Sequence, residues 1–279
     1  MALLHCTYGK GRVRILRIKR DTARHEVREL SVMTLLTGDF SRVWTDKDNS
    51  AALCTDTVKN VTNIVAREHV GLDTEPFCKA LAQKFLDHYP QVKTVTVTAE
   101  ETKWTRMLVD GQPHDHGFLL DANGKPVVEV VADRAGMAVT SGVDGFTFMK
   151  STESGWDNFF KDGFTTLAET RDRVAATALA ARWRWSRDPA DHVAANALIM
   201  ATMLKVFVTT YSESVQDSLY RMGMAALAAV PELIDIHMAA PNKHYVPINL
   251  KPFGMDYDNM VLLPTDEPHG QIECTVGRD

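Results

Sequence analysis

Three side chains in the second half of the sequence are of the kinds that recognise the edge and face of a flat, polar heterocycle. Arg173 carries a guanidinium with two parallel N–H donors, and Gln216, beside Val215 at a predicted helix start, carries an amide with one donor and one acceptor. Trp156 supplies an aromatic face for stacking, which contributes about 0.5–1.5 kcal/mol beyond area burial. None of these side chains is specific alone, because each type more often serves an ordinary surface or core role.

Two further segments hold groups for anion binding and proton transfer. Cys54–Asn60 opens a predicted helix, and Thr55 and Asp56 occupy positions typical of N-cap residues. The free N–H groups of a helix start can hold an anion or a polar ligand edge. The run Asn242-Lys243-His244 follows a predicted strand, and its lysine and histidine add proton-transfer capacity.

The composition is that of an ordinary globular protein. The chain has 279 residues, 45% of them hydrophobic and 24% charged, which suits one large domain or two of average size. A net charge of −5 argues against a nucleic-acid-binding protein, since such proteins normally present a basic face. No apolar run approaches the roughly 20 residues that span a bilayer, so we expect no membrane association.

The termini and the cysteines predict a cytoplasmic location. The segment Met1–Cys6 lacks the charged and apolar regions of a signal peptide, and Val276–Asp279 is not a peroxisomal tripeptide of the Ser-Lys-Leu kind. The four cysteines include no Cys-x-x-Cys pair. This spacing disfavours a disulfide framework or a zinc site and favours a reducing compartment.

The first half of the chain predicts a pair of strands, then two helices, then further strands. The strand segments are Arg12–Arg20, Glu26–Leu36, Thr94–Thr98, Phe118–Leu120 and Val127–Val131. Asn123-Gly124 lies between the last two segments and predicts a hairpin. The first helix opens at Thr55 and Asp56, and the second is capped by Thr74. Their predicted core stripes are Val58, Val61, Ile64 and Val65 in the first helix and Phe77, Leu81 and Phe85 in the second.

The second half repeats this order of elements. Its strand segments are Val139–Lys150, predicted as a pair broken at Asp144-Gly145, then Val174–Trp185, Ile234–Met238 and Ile272–Val276. The first helix carries the stripe Val193, Ala197, Met200, Leu204 and Phe207. The second helix starts at Ser214, with Asp217 three residues on as in a capping box, and carries the stripe Val215, Leu219, Met222 and Ala226.

The repeated order predicts an α+β fold of two tandem units. We expect a first unit over residues 1–133 and a second over 134–279, each a four-stranded antiparallel sheet with two helices on one face. The two halves share little residue identity, so the order of elements is the basis of this prediction. Such sheets have open edges that commonly pair with other subunits into a closed barrel, which predicts an oligomer.

An ordered series of short motifs over essentially the whole chain resembles the urate oxidase (uricase) family. The matching segments are Tyr8-Gly9-Lys10, Thr55-Asp56, Lys59-Asn60, Trp104–Met107, Asp110-Gly111, Pro113-His114, His116, Phe118, Lys150–Thr152, Thr165–Leu167, Glu169-Thr170, Asp172-Arg173, Ser214–Gln216, Pro241–Tyr245 and Cys274–Arg278. Each motif alone is weak, and their number and order carry the resemblance.

The resemblance implies the tunnelling fold (T-fold), with two units per chain and a homotetramer around a β-barrel tunnel. It implies active sites between subunits and oxidation of urate by O2 and water to 5-hydroxyisourate and H2O2, without a cofactor or a metal. Such chemistry is physically accessible because urate becomes electron-rich after loss of a second proton, so the substrate itself can reduce O2. Positioning and electrostatics then carry most of the catalysis.

The resemblance also implies which residues bind the substrate. Arg173 matches the clamp on the O2 and N3 edge of urate. Gln216, with the backbone N–H of Val215, matches the reader of the N1 and O6 edge. Thr55 and Asp56, from a neighbouring subunit, match residues that contact the five-membered ring.

A second set of matches implies the reacting groups. Lys10, Thr55 and His244 resemble the proton relay of the family, and Asn242 with Thr55 would hold dioxygen, or the water that replaces it, above the purine plane. One position departs, because the family's stacking phenylalanine is Trp156 here. Tryptophan keeps the aromatic face and adds an N–H donor, so we expect substrate binding to survive with an altered affinity.

Three alternatives stay open at the level of the sequence. His114-Asp115-His116 has ligand-like spacing, although a metal site would need a third ligand nearby. A different purine- or pterin-handling enzyme of the same fold would use an acidic anchor where this chain has Gln216. A urate-binding protein without turnover is disfavoured by the intact proton-relay residues, with Trp156 as the one point in its favour.

Overall fold

Long antiparallel strands build both halves of this computed structural model, which describes residues 1–257 and 259–278. The chain divides into two units, Met1–Gly142 and Val143–Asp279. The described residues form nine strands and five α-helices, which confirms the predicted α+β class. In the part of the chain that the structure describes, the sheet is not closed into a barrel.

The first unit places two helices between its second and third strands. Its elements are β1 (Tyr8–Lys19), β2 (Glu26–Gly38), α1 (Ser41–Thr45), α2 (Thr55–Glu68), α3 (Thr74–His88), β3 (Val92–Val109), β4 (Gln112–Asp121), β5 (Lys125–Ala132) and the first part of β6 (Met137–Lys150). The strands lie in the order β1-β2-β3-β5-β6, and β4 pairs with β3 outside this path.

The second unit repeats the arrangement. Its elements are the remainder of β6, then β7 (Ala175–Trp185), α4 (His192–Thr209), α5 (Val215–Ala229), β8 (Leu233–Pro247), a short 3-10 helix (Lys251–Phe253) and β9 (Leu262–Gly277). The strands lie in the order β6-β7-β8-β9. The predicted strand, helix and strand order is therefore confirmed in both halves, with longer strands than the sequence pattern indicated.

The predicted hairpin at Asn123-Gly124 is wrong. β3 is 18 residues long, so β4 pairs with its far end from Lys103 to Val109, while β5 pairs with its first part from Val95 to Glu100. The tight turn lies instead between β3 and β4 at Asp110 and Gly111, which both have positive φ. The predicted break at Asp144-Gly145 is also wrong, because β6 continues through it with Gly145 at a φ of +65°.

The helix starts in the first unit also differ from the prediction. Cys54 is the N-cap of α2 and Asp73 the N-cap of α3, neither with a side-chain capping bond, so Thr55 and Thr74 are the first helical residues. The Thr74 hydroxyl instead donates to Glu101 at 2.8 Å. Ile64 is half-exposed, because it lies about 100° around the helix from its buried neighbour Val65.

Most predicted core stripes are confirmed, with one clear exception. The buried positions are Val58, Val61, Val65, Phe77, Leu81 and Phe85 in the first unit and Leu219, Met222 and Ala226 in the second. In α4 the buried residues are His192, Ile199 and Met203, so the predicted stripe beginning at Val193 is wrong. α4 is apolar on most of its surface, so its hydrophobic period does not select a face.

The expectation that no segment could span a bilayer also needs correction at α4. This helix has 18 residues and a mean hydropathy of 1.5, so it has the length and composition of a membrane span. In the described residues it contacts α5, and Trp183 on β7 donates to its Asn196 at 2.9 Å. Length and composition alone are weak evidence for a membrane span.

One arginine in each unit closes the end of the second helix in the same way. Arg134 donates to the carbonyl oxygens of Leu86, Tyr89 and Val92 at 3.0, 3.3 and 2.6 Å. Arg278 donates to the carbonyl oxygens of Leu227, Val230 and Leu233. The acceptors have identical spacing, and a proline (Pro90 or Pro231) follows the middle acceptor in both units. The repeat is therefore preserved at the helix ends, although the two halves share little residue identity.

Candidate active site

A lysine on β1 and the start of α2 form a candidate reacting group in the first unit. Lys10 pairs with Thr34 of β2, just before a bulge in which Arg12 has a φ of +53°. The Gly9 backbone approaches β2 so closely that an added Cβ would lie 1.8 Å from the Thr34 carbonyl oxygen. Only glycine fits at this position, which fixes the strand immediately before Lys10.

Tyr8 joins this strand to the helix that begins at Thr55. Its hydroxyl accepts the backbone N–H of Leu53 at 2.7 Å, and its ring meets the edge of buried Phe40 at a centroid distance of 5.1 Å. Burial raises the pKa of Tyr8, an effect that the Leu53 N–H partly offsets, so the phenol stays neutral near pH 7. The Tyr8 side chain therefore links two segments: its own position, two residues before Lys10, and Leu53, two residues before Thr55.

Asp56 is held as a carboxylate in the first turn of α2. Lys59 forms an ion pair with it, and the amide of Asn60 donates to its other oxygen at 2.9 Å. The Lys59 hydrogen bond is the largest cause that lowers the pKa of Asp56, and the charge of Lys10 contributes in the same direction. Lys10 and Asp56 therefore interact electrostatically within this unit.

The second unit contains a cleft of about 780 Å³ that gathers four of the predicted site residues. Trp156, Arg173, Asn242 and His244 all line it. Arg173 precedes β7, and the other two polar residues lie on β8. Val215 and Gln216 are not among the described residues that line this cleft, and Lys10, Thr55 and Asp56 belong to the first unit.

Within the described part of the chain, Arg173 presents a cation without an ion-pair partner to the cleft. Its side chain is half-buried, and its Nε atom is fully buried with no hydrogen-bond partner among the described residues. Burial lowers the pKa of Arg173, while the nearby Tyr211 raises it. An arginine remains protonated at physiological pH even so. A desolvated guanidinium without a carboxylate partner favours the binding of an anion.

Backbone hydrogen bonds fix the surroundings of Arg173. Its N–H donates to the carbonyl of Ser154 at 2.9 Å, and Trp156 exchanges both backbone bonds with Thr170 at 2.7 and 3.0 Å. Gly155 donates to the carbonyl of Ser212 at 2.9 Å, which ties the same segment to the approach of α5. A Cβ at Gly155 would lie 2.3 Å from the Tyr211 hydroxyl, which donates to the carbonyl of Arg171 at 2.8 Å, so a larger residue here would displace the tyrosine.

Trp156 stacks on an aromatic residue that the sequence patterns did not single out. Its ring and that of Phe159 are 5.5 Å apart between centroids and inclined by 11°. Trp156 and Phe159 are three residues apart in the sequence, but in an irregular loop this spacing does not predict a contact between their rings. Tyr257 and Asn259 also line the cleft from the connection between β8 and β9, and nothing in their local sequence indicates this.

The start of α5 offers free backbone donors beside an amide. The Ser214 hydroxyl accepts the N–H of Asp217 at 3.0 Å, which confirms the predicted cap. Val215 and Gln216 are the first two helical residues, where an α-helix provides no internal acceptor for the N–H groups. The Gln216 side chain is exposed and is available to a ligand.

Asn242 and His244 lie on either side of an irregularity in β8. Asn242 is opposite Thr177 of β7 and Gly270 of β9, whereas His244 is opposite Thr265, and the register shifts between them. Between them, Lys243 forms an ion pair with Asp266 at 2.7 Å. A shift of this kind re-aims neighbouring side chains, and here both line the cleft.

The rings of His114 and His116 lie 4.5 Å apart, with His25 at 5.9 Å from His116. No group of three or more histidine, cysteine, aspartate or glutamate residues in the described part of the chain is placed to hold a metal ion. Arg106 donates to the carbonyl oxygens of His114, Asp115 and His25, so this corner of the β3–β4 ribbon is held by an arginine.

The fold and the cleft together define a class of protein: a duplicated α+β chain in which an arginine, an aromatic residue and a polar strand end line one cleft. The comparisons with known proteins all point to one family. The Uricase family model matches residues 6–131 and 139–273. This chain therefore belongs to the uricase family.

Individual relatives agree over almost their full lengths. The uricase of Arthrobacter globiformis is 37% identical over 274 residues, covering 98% of this chain and 88% of that protein. Uricase-2 of Phaseolus vulgaris is 35% identical, covering 97% of this chain and 94% of that protein. The crystal structure of the Arthrobacter globiformis uricase matches with a TM-score of 0.95 at 35% identity, covering 100% of this chain and 96% of that one.

Proposed function

We propose that this protein oxidises urate with O2 and water to 5-hydroxyisourate and H2O2, without a cofactor. The observation that carries this proposal is the half-buried guanidinium of Arg173, which has no ion-pair partner among residues 1–257 and 259–278 and lies in a cleft that Trp156 also lines. Urate is a flat anion whose O2 and N3 atoms match the two parallel donors of a guanidinium. Membership of the uricase family supports the same substrate and disfavours another purine- or pterin-binding protein.

In this proposal Gln216 and the Val215 N–H read the opposite edge of the ring. Support comes from the capped start of α5, where the free N–H groups and the partly positive end of the helix favour a developing negative charge. Arg173 and this helix start would together stabilise the more negative form of urate that is needed for oxidation.

The chemical step is proposed to begin with proton removal by Lys10 through the Thr55 hydroxyl. The doubly deprotonated urate passes two electrons to O2 in one-electron steps, through a hydroperoxide at C5. H2O2 leaves with the electrons and two protons, and water adds at C5. Asn242 and Thr55 would hold O2 and then the water, with His244 assisting the proton transfer from water.

The proposed site combines Thr55 and Asp56 of one subunit with Arg173, Gln216 and Asn242 of a neighbour in a homotetramer. The open edges support this assembly, since β1 pairs only with β2 and β9 only with β8 among the described residues. An unprotected edge strand tends to pair with another chain. We propose a cytoplasmic location, supported by four free thiols that suit a reducing compartment.

Purified protein incubated with urate in air tests the proposal. We expect loss of urate absorbance with formation of H2O2, and Arg173→Lys should raise KM for urate at least about 10-fold, because an ammonium cannot replace a bidentate fork. Arg171→Lys is the matched control, since that exposed arginine pairs with Asp157 at 2.7 Å, and it should behave as the native protein. No urate loss in the native protein, or an equal effect of the two substitutions, would contradict the proposal.

A further inference from the structure

The aromatic loop that follows Trp156 has a layered arrangement that the proposed reaction does not explain. The indole of Trp156 lines the cleft, whereas Phe159 is not among the described residues that line it. Their rings stack at 5.5 Å and 11°. Phe159 therefore covers one face of the indole without lining the cleft itself.

A second layer of contacts holds Phe159 in place. The Lys161 ammonium lies 5.3 Å from the centroid of the Phe159 ring, within the range of a cation–π contact. Lys161 also pairs with Glu169 at 2.9 Å, and the same carboxylate oxygen accepts the backbone N–H of Asn158 at 3.1 Å. Glu169 adjoins Thr170, whose backbone pairs with Trp156. The contacts of Phe159 with Lys161 and Glu169 therefore connect back to the backbone of Trp156.

We propose that Phe159 is a positioning residue that fixes the indole plane of Trp156 and so sets the affinity of the site for flat heterocycles. This inference rests on the proposed function, because it assumes a flat purine as the ligand. An indole is larger than the phenyl ring implied by the family at this position, and without support it can tilt about two χ angles. A ring stacked behind it restricts the indole to one plane before the ligand arrives, which reduces the ordering cost of binding.

The direct test measures the binding of xanthine, a flat purine that lacks the 8-oxo group of urate. Quenching of tryptophan fluorescence reports binding. The chain has five tryptophans, so the part of the quenching that is lost in Trp156→Phe is assigned to Trp156. We expect Phe159→Leu to weaken xanthine binding by about 3- to 10-fold, the range of an aromatic stacking contribution. Phe160→Leu is the matched control, because that ring is 89% exposed, and it should bind as the native protein.

A double-mutant cycle separates positioning from a general loss of structure. In the Trp156→Phe background, Phe159→Leu should change xanthine affinity by less than about 2-fold, because the indole that it supports is gone. Phe159→Tyr keeps the stack and should retain native affinity, and Phe159→Met replaces Phe159→Leu if the leucine variant does not fold. For urate turnover, KM should rise with little change in kcat, since stacking acts on substrate and transition state alike.

The outcomes distinguish this inference from the proposed function. A native protein that neither binds xanthine nor oxidises urate contradicts the proposed function. Native binding with unchanged affinity in Phe159→Leu, or an equal loss in the native and Trp156→Phe backgrounds, contradicts the positioning role of Phe159 alone.

Discussion

The proposed proton removal by Lys10 requires a fixed distance between its amine nitrogen and the hydroxyl of Thr55. Lys10→Met keeps the length of the side chain and removes the base. We expect kcat for urate to fall by at least about 100-fold, the lower end of general-base contributions, with xanthine affinity changed by less than about 3-fold. Steady-state kinetics and fluorescence titration measure the two quantities. An equal loss of turnover and binding would remove Lys10 from the role of base.

Tyr8 is expected to matter for rate without touching the substrate. Tyr8→Phe removes the hydroxyl that accepts the Leu53 N–H and so loosens the segment that leads to Thr55. One hydrogen bond contributes about 0.5–1.5 kcal/mol, so kcat should fall by about 3- to 10-fold with KM nearly unchanged. Tyr220→Phe on an exposed face of α5 is the control. Unchanged kcat in Tyr8→Phe would show that this bond has no part in placing Thr55.

At the residue scale the sequence predicted the polar groups of the cleft better than their supports. Arg173, Asn242 and His244 were recognisable because their motifs match a known family, and the structure places them along one cleft. Phe159 and Tyr8 act through a ring contact and a bond to a backbone N–H. Such contacts depend on the path of a loop, which local sequence does not determine.

At the scale of elements, the capped start of α5 connects stability to binding. Ser214→Ala removes the acceptor for the Asp217 N–H and should lower the free energy of unfolding by about 1 kcal/mol. Because Val215 and Gln216 follow the cap directly, we also expect KM for urate to rise several-fold. Denaturant titration and steady-state kinetics measure the two effects.

Asp191→Ala is a matched control for this prediction. Asp191 caps α4 in the same way, accepting the N–H of Ala194 at 2.9 Å, and it lies away from the candidate site residues in sequence. We expect a similar loss of stability and an unchanged KM. A rise of KM in both variants would show that any loss of stability disturbs binding, and would contradict a specific role of the α5 start.

Local patterns predicted the helices and strands but not every face and partner. The alternation in Thr94–Thr98 and the cap at Ser214 are strong signals because sterics and hydrogen bonding act within a few residues. The pairing of both β4 and β5 with β3 depends on the 18-residue length of β3. The alternating pattern covers only Thr94–Thr98, so it does not predict this length. The face of α4 was misjudged for a different reason, since a helix that is apolar almost all round leaves the choice to tertiary packing.

At the scale of the whole molecule, we predict a homotetramer in which neighbouring subunits complete the active sites. Light scattering during size-exclusion chromatography should give four times the chain mass of 31.1 kDa. Specific activity should fall on dilution below the concentration at which the assembly dissociates. A monomer that retains full specific activity would contradict a site shared between subunits.

The most direct test of the central claim uses protein that has been treated exhaustively with a chelator and shown by mass spectrometry to carry no organic cofactor. Urate in air-saturated buffer should then disappear with one O2 consumed and one H2O2 formed per urate, at the rate of untreated protein. Loss of turnover on chelation that a metal restores, or urate binding without any H2O2, would contradict cofactor-free oxidation of urate by this chain.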